Sequence, residues 1–378
     1  MNTIVSARVI VTCPGRNFVT LKIETQQGVY GLGDATLNGR ELAVASYLTD
    51  HVVPCLIGRD AHQIEDIWQF LYRGAYWRRG PITMTAIAAV DMALWDIKAK
   101  LAGEPLWRLL GGRDRFVPGY ASGLDIALDD DELARFYSEM AGRGFTSGKL
   151  KGGRNVASDI RRLGIIGDAL RVNIAEPGLM LDANESWNLK QAVRYVSQIE
   201  EVHDLVWIEE PIRRWDAGGH ARLSASVRAA VATGENLTGL EQYRPHFDAG
   251  GIDVVQAAAT WGVTHFLRVS IAAHSRDLPV SPVGLTANAA VAHAAAAVPN
   301  HLSAEIQDVG SPFGVSIDQE YADGGIVLGD QPGVGVCVDE ALIATFEHAE
   351  PGWGAEAGPH VRPARAGLQL SGKPESAA

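Results

Sequence analysis

Four short runs decide the fold: Ser147-Gly148-Lys149-Leu150-Lys151, Gly178-Leu179-Met180-Leu181-Asp182, Leu205-Val206-Trp207-Ile208-Glu209 and Ala232-Thr233-Gly234-Glu235. Each is mostly apolar and each ends on a charged side chain. Further runs at 252–256, 278–281 and 302–305 continue the series, at intervals of about 25 residues, with helix-forming stretches between them. Such alternation means parallel strands joined by crossover helices. With an opening strand at 117–121 the count reaches eight, which predicts a (β/α)8 barrel over residues 116–329.

Upstream the pattern differs. Residues 4–11 and 18–24 alternate as two strands around Pro14-Gly15-Arg16-Asn17, and Gly28, Gly31 and Gly33 punctuate a third. Residues 86–98, Ala-Ile-Ala-Ala-Val-Asp-Met-Ala-Leu-Trp-Asp-Ile-Lys, are good helix formers and mostly apolar, so they predict a buried helix. Gly111-Gly112 closes this region. The reading is an α/β protein, a barrel preceded by an α+β domain at 1–115, with a Pro-, Ala-, Gly- and Ser-rich tail at 361–378 expected to be disordered.

The 378 residues carry a formal charge of −12, which argues against nucleic acid or an anionic membrane as partner. No apolar run reaches the roughly 18 residues of a membrane helix. Met1-Asn2-Thr3-Ile4-Val5 lacks the basic-then-apolar grammar of a secretory signal. Cys13, Cys55 and Cys337 show neither disulfide nor zinc spacing, so a reducing cytoplasm is the expected location.

Residues at the C-terminal ends of barrel strands face the site. Asp182, Glu209 and Glu235 are 27 and 26 residues apart, one βα unit each, so three carboxylates converge from adjacent strands. Mutual repulsion makes a hard divalent cation the natural partner, magnesium first and manganese as a substitute. Lys149 and Lys151 stand two apart on one strand, on one face, with Cα atoms about 6.6 Å apart. Each ammonium disfavours the other's charge, as does a nearby metal, bringing one lysine toward a neutral, basic state.

These segments resemble the mandelate racemase and muconate lactonizing branch of the enolase superfamily over almost the whole chain. The motifs are Lys149-Leu150-Lys151-Gly152-Gly153, Leu181-Asp182-Ala183-Asn184, Trp207-Ile208-Glu209-Glu210-Pro211 and Thr233-Gly234-Glu235-Asn236, with Ala89 to Asp96 and Leu109-Leu110-Gly111-Gly112 upstream. The resemblance implies that 1–115 is a capping domain, completed by 330–360. It implies one Mg²⁺ per subunit on Asp182, Glu209 and Glu235, with Lys151 as base and Lys149 beside it. It also implies removal of the proton α to a carboxylate, giving an enediolate, and a homo-oligomer acting on a small carboxylic acid.

The cap segments Val9 to Ile23, Gly33 to Glu41 and Gly74 to Pro81 resemble the mannonate dehydratase group, which makes Asn38, Trp77 and Arg78 candidate substrate contacts. Asn184, two residues past the first carboxylate, is expected in the same cavity. Glu305 resembles a family position that binds the substrate carboxylate.

The barrel departs from that group. The long insertion after the second strand, with its tyrosine–arginine pair, has no counterpart, because Lys151-Gly152-Gly153-Arg154 runs straight into a helix. Where racemases of the branch place a histidine and its aspartate, this chain has Val283 and Ala258, and no sixth-strand lysine replaces them. His265 and His274 fall on the following helix and read as helix-face histidines. The expectation is one-face chemistry: a sugar-acid dehydratase, a lyase giving a 2-keto-3-deoxy acid. The alternatives are a racemase or epimerase with another second acid, and a metal- and ligand-binding homologue without turnover.

Overall fold

A computed structural model describes residues 2–14, 17–284, 289–307 and 313–347. The turn residues Gly15 and Arg16, residues 348–360 of the segment expected to complete the cap, and the tail 361–378 lie outside the described residues. Among the described residues no helix is long and apolar enough to cross a membrane.

The chain divides into two compact units. The first comprises residues 2–120, 235–243 and the described residues from 256 on; the second comprises 121–234 and 244–255.

In the first unit, β1 (Ile4–Thr12), β2 (Phe18–Thr25) and β3 (Tyr30–Asp34) form an antiparallel sheet against the helix Pro81–Ala102. That helix starts with Pro81 at its first turn, where the missing N–H costs nothing, and stops at Gly103, whose φ of 69° suits glycine. The expected buried helix at 86–98 is thus its middle. A Cβ on Gly31 or Gly33 would collide with the carbonyl oxygens of Ala93 and Ala89, so these glycines let strand and helix touch backbone to backbone. Two buried acids on the helix tie distant segments. Asp96 accepts from Leu32 N at 3.2 Å and Val334 N at 2.9 Å, and Asp91 accepts from Thr264 N at 2.9 Å, capping the helix Val263–His274. At the chain's far end, Glu340 pairs with Arg8 at 2.5 Å and Lys22 at 2.8 Å, laying the helix Glu340–Phe346 beside the same sheet.

The barrel strands are β4 (Phe116–Ser122), β5 (Ser147–Lys151), β6 (Gly178–Asp182), β7 (Leu205–Glu209), β8 (Ala230–Thr233), β9 (Val254–Ala258), β10 (Val280–Val283) and β11 (Ala304–Ile306). They lie in the order β10-β9-β8-β7-β6-β5-β4, with β11 on β4; β11's approach bonds to β10 through Leu302 N and Val280 O at 2.9 Å. An eight-stranded ring results, extended antiparallel by Gly325–Leu328 on β4 and Gln319–Ala322 beyond it. Strands β5, β6 and β7 run over the residues the sequence predicts. The later strands β9, β10 and β11 start two residues further on. For β9 the reason is Asp253, whose carboxylate accepts from Val231 N at 2.8 Å and Ser224 Oγ at 2.9 Å and so belongs to the approach.

In the second unit, side-chain caps start the crossover helices: Asp129 on Glu132 N, Asn155 on Ser158 N, and Asn188 on Gln191 N. The parallel register aligns the charged strand ends. Lys151 pairs with Asp182, and Asp182 with Glu209, across three neighbouring strands. One row of the sheet therefore carries a lysine and two carboxylates.

Candidate active site

Strand alternation turns Lys149 and Lys151 to one face, and both are buried, at 0% and 4% exposure. Sequence spacing predicts two ammonium groups destabilising each other. In the fold each also meets an acid: Lys149 Nζ donates to Glu209 Oε1 at 2.5 Å, and Lys151 Nζ to Asp182 Oδ2 at 2.6 Å. Burial opposes the charge on Asp182. The Lys151 and Lys149 ammoniums beside it, with hydrogen bonds from Lys151 and Asn184 N, overcome this and hold its pKa below the ordinary carboxylate value.

One oxygen each from Asp182, Glu209 and Glu235 lies within 4.8 Å of the others. Asp182 and Glu209 are fully buried at strand ends, while Glu235, two residues past β8, is half-buried. Trp261 Nε1 donates to Glu235 O at 2.7 Å and fixes that loop. Three hard oxygen donors with no nitrogen or sulfur among them fit a magnesium or manganese ion. The fit rests on donor chemistry and convergence together.

Around this row stand groups that sequence reading missed. Trp207 Nε1 donates to Glu209 Oε2 at 3.1 Å. Its place two residues before Glu209 on one strand was a usable signal. Asp125, on the loop after β4, accepts from Lys151 N at 2.9 Å and Tyr137 Oη at 3.0 Å, and Tyr137 also donates to Lys149 O at 2.6 Å. These bonds fix the end of β5. Burial pushes the Asp125 pKa up to about 6, against those hydrogen bonds and the nearby Arg162. No pattern in the sequence marks this loop.

The remaining predicted residues separate into two groups. Asn184 joins the row: its N donates to Asp182 Oδ1 at 2.7 Å and its Nδ2 to Asp182 Oδ2 at 3.0 Å. Glu305 is buried on β11, where its carboxylate accepts from Gly284 N at 2.9 Å. Asn38, Trp77 and Arg78 are exposed on loops of the first unit, Trp77 at 86% and edge-on to Tyr76. Val283 and Ala258 are buried in one apolar cluster with Trp68, Met84, Ile87 and Trp261. His265 is buried on the helix Val263–His274 and packs near Tyr243, with burial pulling its pKa down to about 4; His274 is exposed at that helix's end.

Residues 6–111 match the family model "Mandelate racemase / muconate lactonizing enzyme, N-terminal domain", and residues 132–342 match "Enolase C-terminal domain-like". The chain belongs to the mandelate racemase and muconate lactonizing branch of the enolase superfamily. Within the superfamily it is 38% identical to a D-mannonate dehydratase of Sphingomonas sp. (strain SKA58), over 92% of this chain and 96% of that one. Among solved superfamily structures, a racemase from Streptomyces coelicolor A3(2) with bound magnesium has a TM-score of 0.82 at 30% identity, covering 91% of this chain and 99% of that one. An enolase from Pantoea ananatis with bound D-gluconate and magnesium has a TM-score of 0.79 at 25% identity, covering 92% and 95%.

Proposed function

We propose that this chain is a magnesium-dependent lyase that dehydrates a sugar acid of the aldonate type to a 2-keto-3-deoxy acid. The observation that carries the reading is the single row Lys151, Asp182, Glu209, with Lys151 Nζ 2.6 Å from Asp182. The 38% identity to a D-mannonate dehydratase across nearly the whole of both chains supports the reaction class.

Asp182, Glu209 and Glu235 would hold the ion, which would supply a fixed positive charge for the negative charge that the substrate carboxylate gains. A cation held by these acids would take over Asp182 and disfavour the Lys151 ammonium, and the amine so freed would take the proton on the carbon next to that carboxylate. The electron pair left behind forms the carbon–carbon double bond as the β-hydroxyl leaves. Lys151, now an ammonium, returns its proton to that hydroxide, and water departs. The enol product then tautomerises to the keto acid. Lys149 holds Glu209 in place by its 2.5 Å bond. Glu305 and Asn184 orient the substrate, with Asn38, Trp77 and Arg78 as further candidate substrate contacts.

The likeness to the Streptomyces coelicolor racemase favours a second reading, a two-face racemase or epimerase. That chemistry needs a second acid. The positions expected to supply it, Val283 and Ala258, lie in apolar packing, which weighs against it. A panel of aldonates, D-mannonate and D-gluconate included, is incubated with enzyme and Mg²⁺. Dehydration yields a keto acid trapped as its semicarbazone. No keto product, with solvent deuterium in the recovered substrate, would replace dehydratase by epimerase.

A further inference from the structure

Asp182 is followed by a turn that L-residues avoid. Asn184 and Glu185 both have positive φ, 41° and 60°, and Glu210, beside Glu209, has φ of 39°. Non-glycine residues in this region are strained, and two in succession need outside support. Glu185 N donates to Glu210 O at 2.6 Å, so the turns after β6 and β7 brace each other. The Glu185 side chain is held at three points by one residue: Arg214 N and Nε donate to Oε1, both at 2.7 Å, and Nη2 donates to Oε2 at 2.9 Å. Glu185 is only 14% exposed and Arg214 31%, so this pair is shielded in a way surface ion pairs are not. Arg214 is fixed from behind. Its carbonyl accepts from buried His246 Nε2 at 2.5 Å, and His246 packs edge-on against His220 at 5.1 Å.

The support runs one way: His246 fixes Arg214, Arg214 fixes Glu185, and Glu185 sets the strained turn from which Asn184 gives two hydrogen bonds to the Asp182 carboxylate. We infer that the Glu185–Arg214 pair is a positioning clamp that imposes the left-handed turn after β6 and so aims the Asp182 carboxylate. The inference rests on the reading of Asp182 as a metal ligand.

The test measures Mn²⁺ affinity by electron paramagnetic resonance, with melting temperature and steady-state kinetics alongside. Arg214→Met should fold, and should weaken Mn²⁺ binding by about tenfold while lowering kcat more than it raises KM. Glycine adopts positive φ without strain, so adding Glu185→Gly should restore the affinity of Arg214→Met. Adding Glu185→Gln removes the stranded charge but keeps the strain, and should not. Wild-type affinity in Arg214→Met overturns the clamp. Rescue by both second substitutions, or by neither, also overturns it, because the turn is then not what Arg214 enforces. Asp182→Asn is the separate control: if it binds Mn²⁺ as tightly as wild type, the metal-ligand reading fails and not the clamp. Should Arg214→Met not fold, Arg214→Lys, which loses the forked geometry and keeps the charge, takes its place, with the same expected order of affinities.

Discussion

At the scale of single residues, the proposed reaction makes Lys151 the side chain on which turnover depends. Its ammonium meets Asp182 at 2.6 Å, its backbone N–H is held by Asp125, and it is almost wholly buried. Replacing it by alanine should cut kcat by about 10²–10⁴, the range a positioned general base supplies, while Mn²⁺ still binds, since the three carboxylates are intact. Full activity in Lys151→Ala would remove this lysine from the mechanism. The pairing of each lysine with its own acid shows the limit of reading residues by sequence separation. Two lysines two apart share a face by strand geometry alone. Which acid each one meets depends on the neighbouring strands.

At the scale of elements, the helix Pro81–Ala102 shows how a buried acid is used structurally. Asp91 caps the helix Val263–His274 through Thr264, and burial, opposed by the bonds from Thr264, pushes its pKa up to about 6 from the ordinary 3.8. A group whose folded pKa is raised stabilises fully below its unfolded value and loses that contribution as pH rises through the folded value. Asp91→Asn mimics the protonated acid at every pH. Its stability relative to wild type should therefore improve by about 1.4 kcal/mol per pH unit between pH 4 and 6, then level off. Urea unfolding of both proteins at pH 5, 6 and 7 checks this, and a constant difference across those values contradicts it. The element scale was also the most legible in the sequence. Strands β5, β6 and β7 stand over the predicted residues, because buried parallel strands are apolar runs bounded by turn residues. The starts of β9, β10 and β11 were missed by two residues. In β9, Asp253 bonds to Val231 and Ser224, partners distant in sequence.

At the scale of the molecule, fold and site follow from one property of the barrel, that its strand ends share a rim. The acids of β6 and β7 and the lysine of β5 fall in one row of the sheet, and Glu235 follows β8. If these acids hold the ion, folding and binding are linked. Mg²⁺ at about a hundred times its Kd should stabilise the protein by about 2.7 kcal/mol. EDTA should abolish the effect, and Glu235→Gln should weaken it. An unfolding midpoint indifferent to Mg²⁺ in the wild-type protein would count against the site.

By itself the sequence determined the class of fold, the three carboxylates and the two lysines. Those rest on periodicity and spacing, which any chain of this pattern carries within itself. It also marked Val283 and Ala258 as unable to act as a second base. Only the tertiary structure decided the rest: that Lys149 meets Glu209 and Lys151 meets Asp182, that Val283 and Ala258 sit in one apolar cluster, and that Arg214 grips Glu185. Each of these is a contact between segments far apart in the chain, set by strand register and burial, and local pattern carries no information about which distant partner arrives.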